Sequence, residues 1–238
     1  MSGISGIGGG NSYNSMYGKI ASGNRIQRAS DDAAGMAIAS KQEAQLRAQK
    51  MQQRNAMSQQ DAINIADGAR SGISDYLQDI NSLAVQSMNG LYSDSDRQAI
   101  QNQINAYASG INDTVNQAKY NETYVLADGS TSARALGVEN FNVMDGNANL
   151  DTIDSAIQSV SGARASDGAR YNGLESSISN LASTAENTEA SISRISDQDI
   201  AEGATRLKSD QVLEQAQVQM QRRQMDDQAN LVNKMFGA

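Results

Sequence analysis

From Leu174 to Ile195 apolar and small side chains recur at steps of four and three without a slip: Leu174, Ile178, Leu181, Ala185, Thr188, Ile192, Ile195. A strand repeats every second residue, so this run is compatible only with a helix carrying a narrow apolar seam. A seam of that kind needs a partner helix. Two further runs supply candidates. Ile73, Leu77, Ile80 and Ala84 follow steps of four, three and four, with Ile63 and Ala66 extending the seam backwards, and Ile100, Ile104, Tyr107, Ile111 and Val115 repeat the pattern. The chain has no proline to interrupt such helices, and with 39% hydrophobic and 4% aromatic residues it cannot fill a thick core. The fold class is therefore mainly α: a long antiparallel helical bundle or coiled coil.

Composition also removes functions. The 19 basic residues are outnumbered by 27 acidic ones, giving a net charge of −8, so no basic surface exists for nucleic acid. No histidine or cysteine is present, which removes the commonest metal ligands, thiol chemistry and the usual neutral-pH base. No catalytic residue, metal site or cofactor is expected, and the chain reads as no enzyme. No apolar run of about 18 residues offers a membrane span. The start, Met1 to Gly10, lacks the basic flank and apolar stretch of a secretory signal, so export would use another route.

Along the chain, Tyr13, Met16, Tyr17 and Ile20 give residues 1–22 one short helical stripe after a glycine-rich start. Ser30 or Asp31 is the expected N-cap of a long helix that stops at Asn89-Gly90. Ser93, Asp94 or Ser95 should cap the next helix, completing an antiparallel hairpin. Between about 119 and 149 the pattern turns to β: Tyr124-Val125-Leu126 and Val138 to Val143, separated by Asp128-Gly129 and followed by Asp145-Gly146-Asn147, predict one or two small hairpins. Helix resumes near Asp151. Ser196-Asp197-Gln198-Asp199 marks a break, after which Ile200, Ala204, Leu207, Leu213, Ala216 and Met220 continue at looser spacing, with Leu231, Val232, Met235 and Phe236 near the end. Such a tail buries too little to fold alone.

Four phrases in this order carry a resemblance. Ser22-Gly23-Asn24-Arg25-Ile26 leading to Ala29-Ser30-Asp31-Asp32-Ala33-Ala34-Gly35 is similar to the N-terminal signature of bacterial flagellins, with Asn24 in place of the usual leucine. Leu83-Ala84-Val85-Gln86-Ser87-Met88-Asn89-Gly90, Ser193-Arg194-Ile195-Ser196-Asp197-Gln198-Asp199 and Gln211-Val212-Leu213-Glu214-Gln215-Ala216 resemble later phrases of the same family. The resemblance implies a short flagellin without variable outer domains, since only roughly thirty residues part the helical hairpin from the last long helix. It implies a structural subunit of the extracellular filament used for swimming, exported unfolded through the flagellar type III channel. The terminal helices form a separate inner coiled-coil segment, and the central helices with the β-hairpin surround it. On this basis 1–22 is an inner-tube helix segment, 23–35 a spoke, 36–195 the core helical domain with its hairpin at about 119–149, and 196–238 the C-terminal inner-tube helix. The segment before the spoke is shorter than usual for the family by roughly three helical turns.

Arg25, Arg28, Asp31 and Asp32 are the candidate spoke and intersubunit ionic contacts. The seam Leu174, Ile178, Leu181, Ala185, Ile192 and Ile195 is expected to pack mostly within the chain, on the first helical hairpin. Met51, Met57, Met220 and Met225 suit adaptable polymer contacts. Leu77, Asp79, Ser82, Leu83 and Gln103 overlie the segment through which flagellins meet the innate immune receptor TLR5. Strong activators carry arginine where Asp79 stands and glutamate where Ser82 and Gln103 stand, so the resemblance implies a weak ligand. The partners implied are further copies of the chain in a helical homopolymer, an export chaperone, and hook-associated and cap proteins. A hook-filament junction protein is the alternative function.

Overall fold

The computed structural model describes residues 9–126, 129–144 and 148–236. Residues before Gly9, the expected turn residues Asp128 and Asp145-Gly146-Asn147, and the side chains of Tyr13, Met235 and Phe236 lie outside the described part. The elements are α1 (Gly9–Ser22), α2 (Ala33–Ser87), α3 (Asp94–Gln117), β1 (Lys119–Tyr120), β2 (Thr123–Tyr124), α4 (Leu150–Ser196) and α5 (Ile200–Phe236). The chain is mainly α, as its seams require. It divides into two compact units: one takes residues 1–48 and 184–238, the other 49–183.

In the unit 49–183 the apolar seams meet. Ile73, Leu77, Ile80 and Ala84 of α2, Ile104 and Ile111 of α3, and Ile153 and Val160 of α4 are all fully enclosed. Each such Ile or Leu contributes about 1.5–3 kcal/mol by leaving water, so one narrow seam stabilises the whole unit. The α2–α3 hairpin is closed by polar groups at its turn. Ser93, one of the three expected caps, accepts from the Asp96 N–H while Asp96 accepts from the Ser93 N–H at 3.0 Å, a reciprocal box. At the other side of the turn Arg97 Nη1 donates to the Ser87 carbonyl at 2.6 Å, occupying one of the acceptors that the end of α2 leaves open.

The connector between α3 and α4 carries one of the one or two hairpins expected at about 119–149, but not on the strands expected. Among its described residues only β1 and β2 pair, Lys119 with Tyr124 and Tyr120 with Thr123. Their turn, Asn121-Glu122, has positive φ at both residues, +47° and +64°, the mirror-image turn that matches strand twist. The segment Val138 to Val143, expected as a strand, is not one, although its apolar residues Val138, Phe141 and Val143 are all buried. Its ladder is replaced by one side chain. Gln101 Nε2 donates to the Phe141 carbonyl at 2.8 Å and Gln101 Oε1 accepts from the Val143 N–H at 2.8 Å, the pair of bonds a neighbouring strand would make. Farther along α3, Asn112 Oδ1 accepts from the Ala133 N–H at 3.0 Å. The connector thus returns along α3 from its end toward its start, burying Leu126, Ala133, Leu136, Val138, Phe141 and Val143 as it goes.

Two ion pairs join α2 to α4 in this unit. Asp67 accepts from Arg164 Nε at 2.7 Å at a half-exposed position, while Arg70 and Asp167 pair with both side chains buried. The two pairs sit three residues apart on each helix, with acid and base exchanged between them. That exchange resists a register slip, because moving one helix by a turn brings like charges together.

Candidate assembly surface

In the unit made of 1–48 and 184–238, the chain between α1 and α2 is fastened to the chain between α4 and α5. Asn24 and Asp197 form an antiparallel bridge, with Arg25 N–H donating to the Ser196 carbonyl at 2.7 Å and Gln198 N–H to the Gly23 carbonyl at 2.8 Å. Arg25 Nη2 adds a bond to the Ile195 carbonyl at 2.6 Å, on an acceptor left open by the end of α4. Asp199 then starts α5, accepting from the N–H groups of Ala201 and Glu202 at 2.9 and 3.1 Å.

The predicted ionic residues lie here, and within the chain Arg25 and Asp32 meet as one pair while Asp31 turns to another partner. Asp31 pairs with Lys19 at 3.3 Å, and its Oδ2 accepts from the main-chain N–H groups of Gln27 and Arg28, each at 3.1 Å. Those N–H bonds, Gln27 first, and the Lys19 ammonium hold the Asp31 carboxyl below the usual carboxylate range. Asp32, rather than Ser30 or Asp31, is the N-cap of α2, accepting from the Gly35 N–H at 2.8 Å, with Arg25 3.6 Å away. Position 35 has no room for a side chain: a Cβ there would stand 2.8 Å from Asp32 Cγ and 3.0 Å from Ile26 Cδ1. Arg28 is exposed and enters no ion pair among the described residues. Lys19 was missed in the sequence because it lies on α1 while its acid lies in the turn before α2, and no spacing rule links the two.

From this fastening α1 and α5 run off side by side. Ile20 lies against Gly203, whose hydrogen in place of a methyl admits Ile20 Cγ1 to 3.1 Å from where a Cβ would be. At about 1.5 Å per residue the described α1 is roughly 21 Å long and α5 roughly 55 Å, so more than half of α5 extends past α1. Along α5 many apolar side chains are bare. Val212, Leu213, Met220, Met225, Leu231 and Val232 are all exposed, Met225 by 62%, and Tyr17 of α1 by 59%. Ala204, Thr205, Lys208, Ser209, Val212 and Leu213 line a shallow, mostly apolar groove along the same helix. Exposed apolar area of this extent marks a surface built to be covered by protein.

The remaining predicted positions divide. Ala185 is buried, while Leu174, Ile178, Leu181, Ile192 and Ile195 are half-buried. Leu77 is enclosed in the core, Leu83 is half-buried, and Asp79, Ser82 and Gln103 are exposed, with Gln103 donating to the Tyr107 hydroxyl at 3.3 Å. Met51, Met57, Met220 and Met225 are all exposed. No helix among the described residues is long and apolar enough to cross a membrane.

Comparison with known proteins agrees at both ends of the chain. Residues 10–131 match the bacterial flagellin N-terminal helical region and residues 150–234 the bacterial flagellin C-terminal helical region. The chain is 31% identical to a flagellar filament core protein of Brachyspira hyodysenteriae, with 84% of each chain covered. It is 30% identical to a flagellar filament 31.3 kDa core protein of Treponema maltophilum, covering 83% of each, and 30% identical to a flagellin of Halalkalibacterium halodurans, covering 83% of this chain and 82% of the relative.

Proposed function

We infer the working of this molecule from one premise: the chain belongs to the bacterial flagellin family. It is a structural subunit of the flagellar filament and not an enzyme, and it acts by self-polymerisation in the service of motility. The division of labour within it is our proposal. Residues 1–22 and 196–238 line the inside of the filament, 23–35 form the spoke, and 36–195 the surrounding layer. The supporting observation is the length of α5 that extends past α1 with its apolar face bare. Among the described residues of a lone subunit no element covers that length. In the polymer, neighbouring copies supply the missing face, so ordering and assembly are one step.

Truncation tests this. Removing residues 220–238 leaves the helices of the 49–183 unit folded, judged by circular dichroism, and stops filament growth in negative-stain microscopy. Normal filaments from the truncated protein would refute it.

The finer partners follow from the family. An export chaperone, the hook-associated proteins and the cap protein are expected to hold the terminal segments before and during assembly, and the filament to lie outside the cell. Asp79, Ser82 and Gln103 are exposed and lack the charges of strong activators, which supports weak TLR5 stimulation. A reporter-cell assay with potency equal to that of a strong activator would sink this reading.

A further inference from the structure

The tripeptide Asn-Gly-Leu occurs twice, at 89–91 and at 172–174. The fold puts the two copies in opposite settings. Asn172 and Gly173 lie inside α4, where the Gly173 N–H belongs to the helical hydrogen-bond ladder. Asn89 and Gly90 lie in the turn between α2 and α3, both exposed, with nothing within 4 Å of a Cβ built at Gly90. Asn89 is held in place on three sides: its N–H donates to the Gln86 carbonyl at 3.1 Å, its carbonyl accepts from Tyr92 N–H at 3.2 Å, and its Oδ1 accepts from Leu91 N–H at 3.1 Å. The last bond folds the side chain back along the main chain that carries Gly90 and polarises the amide carbonyl. Among the described residues the Gly90 N–H donates to no acceptor.

We propose that Asn89 is a site of spontaneous deamidation and isoaspartate formation, and that Asn172, in the same tripeptide, is protected by its helix. The Gly90 nitrogen, having lost its proton to water, attacks Asn89 Cγ. A C–N bond closes a cyclic succinimide while the Cγ–Nδ2 bond breaks, and the nitrogen leaves as ammonia after taking a proton from water. Water then opens the ring at either carbonyl, giving isoaspartate or aspartate at position 89. Each event adds a negative charge to a chain already at −8. The isoaspartate route also adds a methylene to the main chain inside the loop that Gln86 Nε2 and the Tyr92 hydroxyl close at 2.8 Å, just ahead of the Ser93 cap at the closed end of the helical hairpin. A subunit kept for long in a polymer would show its age here.

The test is to hold full-length protein at mildly alkaline pH and follow both sites by peptide mass mapping, with isoaspartate measured by isoaspartyl methyltransferase labelling. Asn89 should convert at least about tenfold faster than Asn172, because the Gly173 nitrogen reacts only in the few molecules whose helix has opened locally. In strong denaturant the two sites should convert at similar rates. Equal conversion in the folded protein, faster conversion at Asn172, or no conversion at Asn89 under conditions that convert both denatured sites would overturn the proposal.

Discussion

Asp31 shows how a single residue can be legible in type and illegible in partner. An acid just before a helix invited assignment as its cap, yet the neighbouring Asp32 has the side-chain reach to the Gly35 N–H, and Asp31 turns to the N–H groups of Gln27 and Arg28 and to Lys19. Which of two adjacent carboxylates caps depends on the path of the preceding turn, and composition does not encode that path. The arrangement has a pH consequence. A carboxyl whose folded value is depressed stabilises the fold above its unfolded pKa of about 3.9, and that contribution is lost as pH falls through the folded value. Asp31→Asn should therefore lower the melting temperature at neutral pH and narrow the gap from wild type as acid is added, in a pH series followed by circular dichroism. A gap that widens in acid would contradict this account.

At the scale of elements, the helices were readable and the connector was not. Steps of four and three report a helix through its own residues, as in Ile73 to Ala84, all enclosed as the pattern required. The seam Leu174 to Ile195 is helical too, but only Ala185 on it is buried, because periodicity reports which face turns inward and not how much covers it. Phe141 and Val143 alternate with Asn142 and are buried as in a strand, yet their main chain pairs with the amide of Gln101 from forty residues away, a bond no local pattern can announce. The β-turn was overlooked for a similar reason: Asn121-Glu122 places a glutamate at φ +64°, where glycine is the usual signal. The two α2–α4 ion pairs give a comparison within one pair of elements. Asp167→Ala, which takes the carboxylate from the buried Arg70 guanidinium, should cost about 3 kcal/mol or more. Asp67→Ala, at the half-exposed Arg164, should cost under about 1 kcal/mol. Chemical denaturation of both variants reads the difference, and equal losses would show that the inner pair is not desolvated.

For the whole molecule, the sequence was most informative where it was poorest. Without histidine, cysteine, proline or many aromatic rings, the chain has little means to build a reactive pocket or a thick core, and its two compact units instead rest on narrow seams. What the sequence could not convey is how bare α5 stays in a single chain, since an amphipathic helix looks the same whether its partner is its own chain or a neighbour. The truncation at residue 220 separates those cases at this scale: an intramolecular partner would make the rest of the chain lose stability with the tail, whereas an intermolecular one spares it. The Gln101 clamp has a consequence of another kind. It grips the connector by peptide groups, which every residue except proline offers alike, so the grip is indifferent to what the gripped residues are. Provided Thr131, Ala133, Leu136, Val138, Phe141 and Val143 stay inward and Gly129 and Gly137 keep their positive φ, the remaining positions of residues 129–144 form a stretch whose wording can drift between strains, or be rewritten to display a foreign peptide, while its course along α3 is preserved.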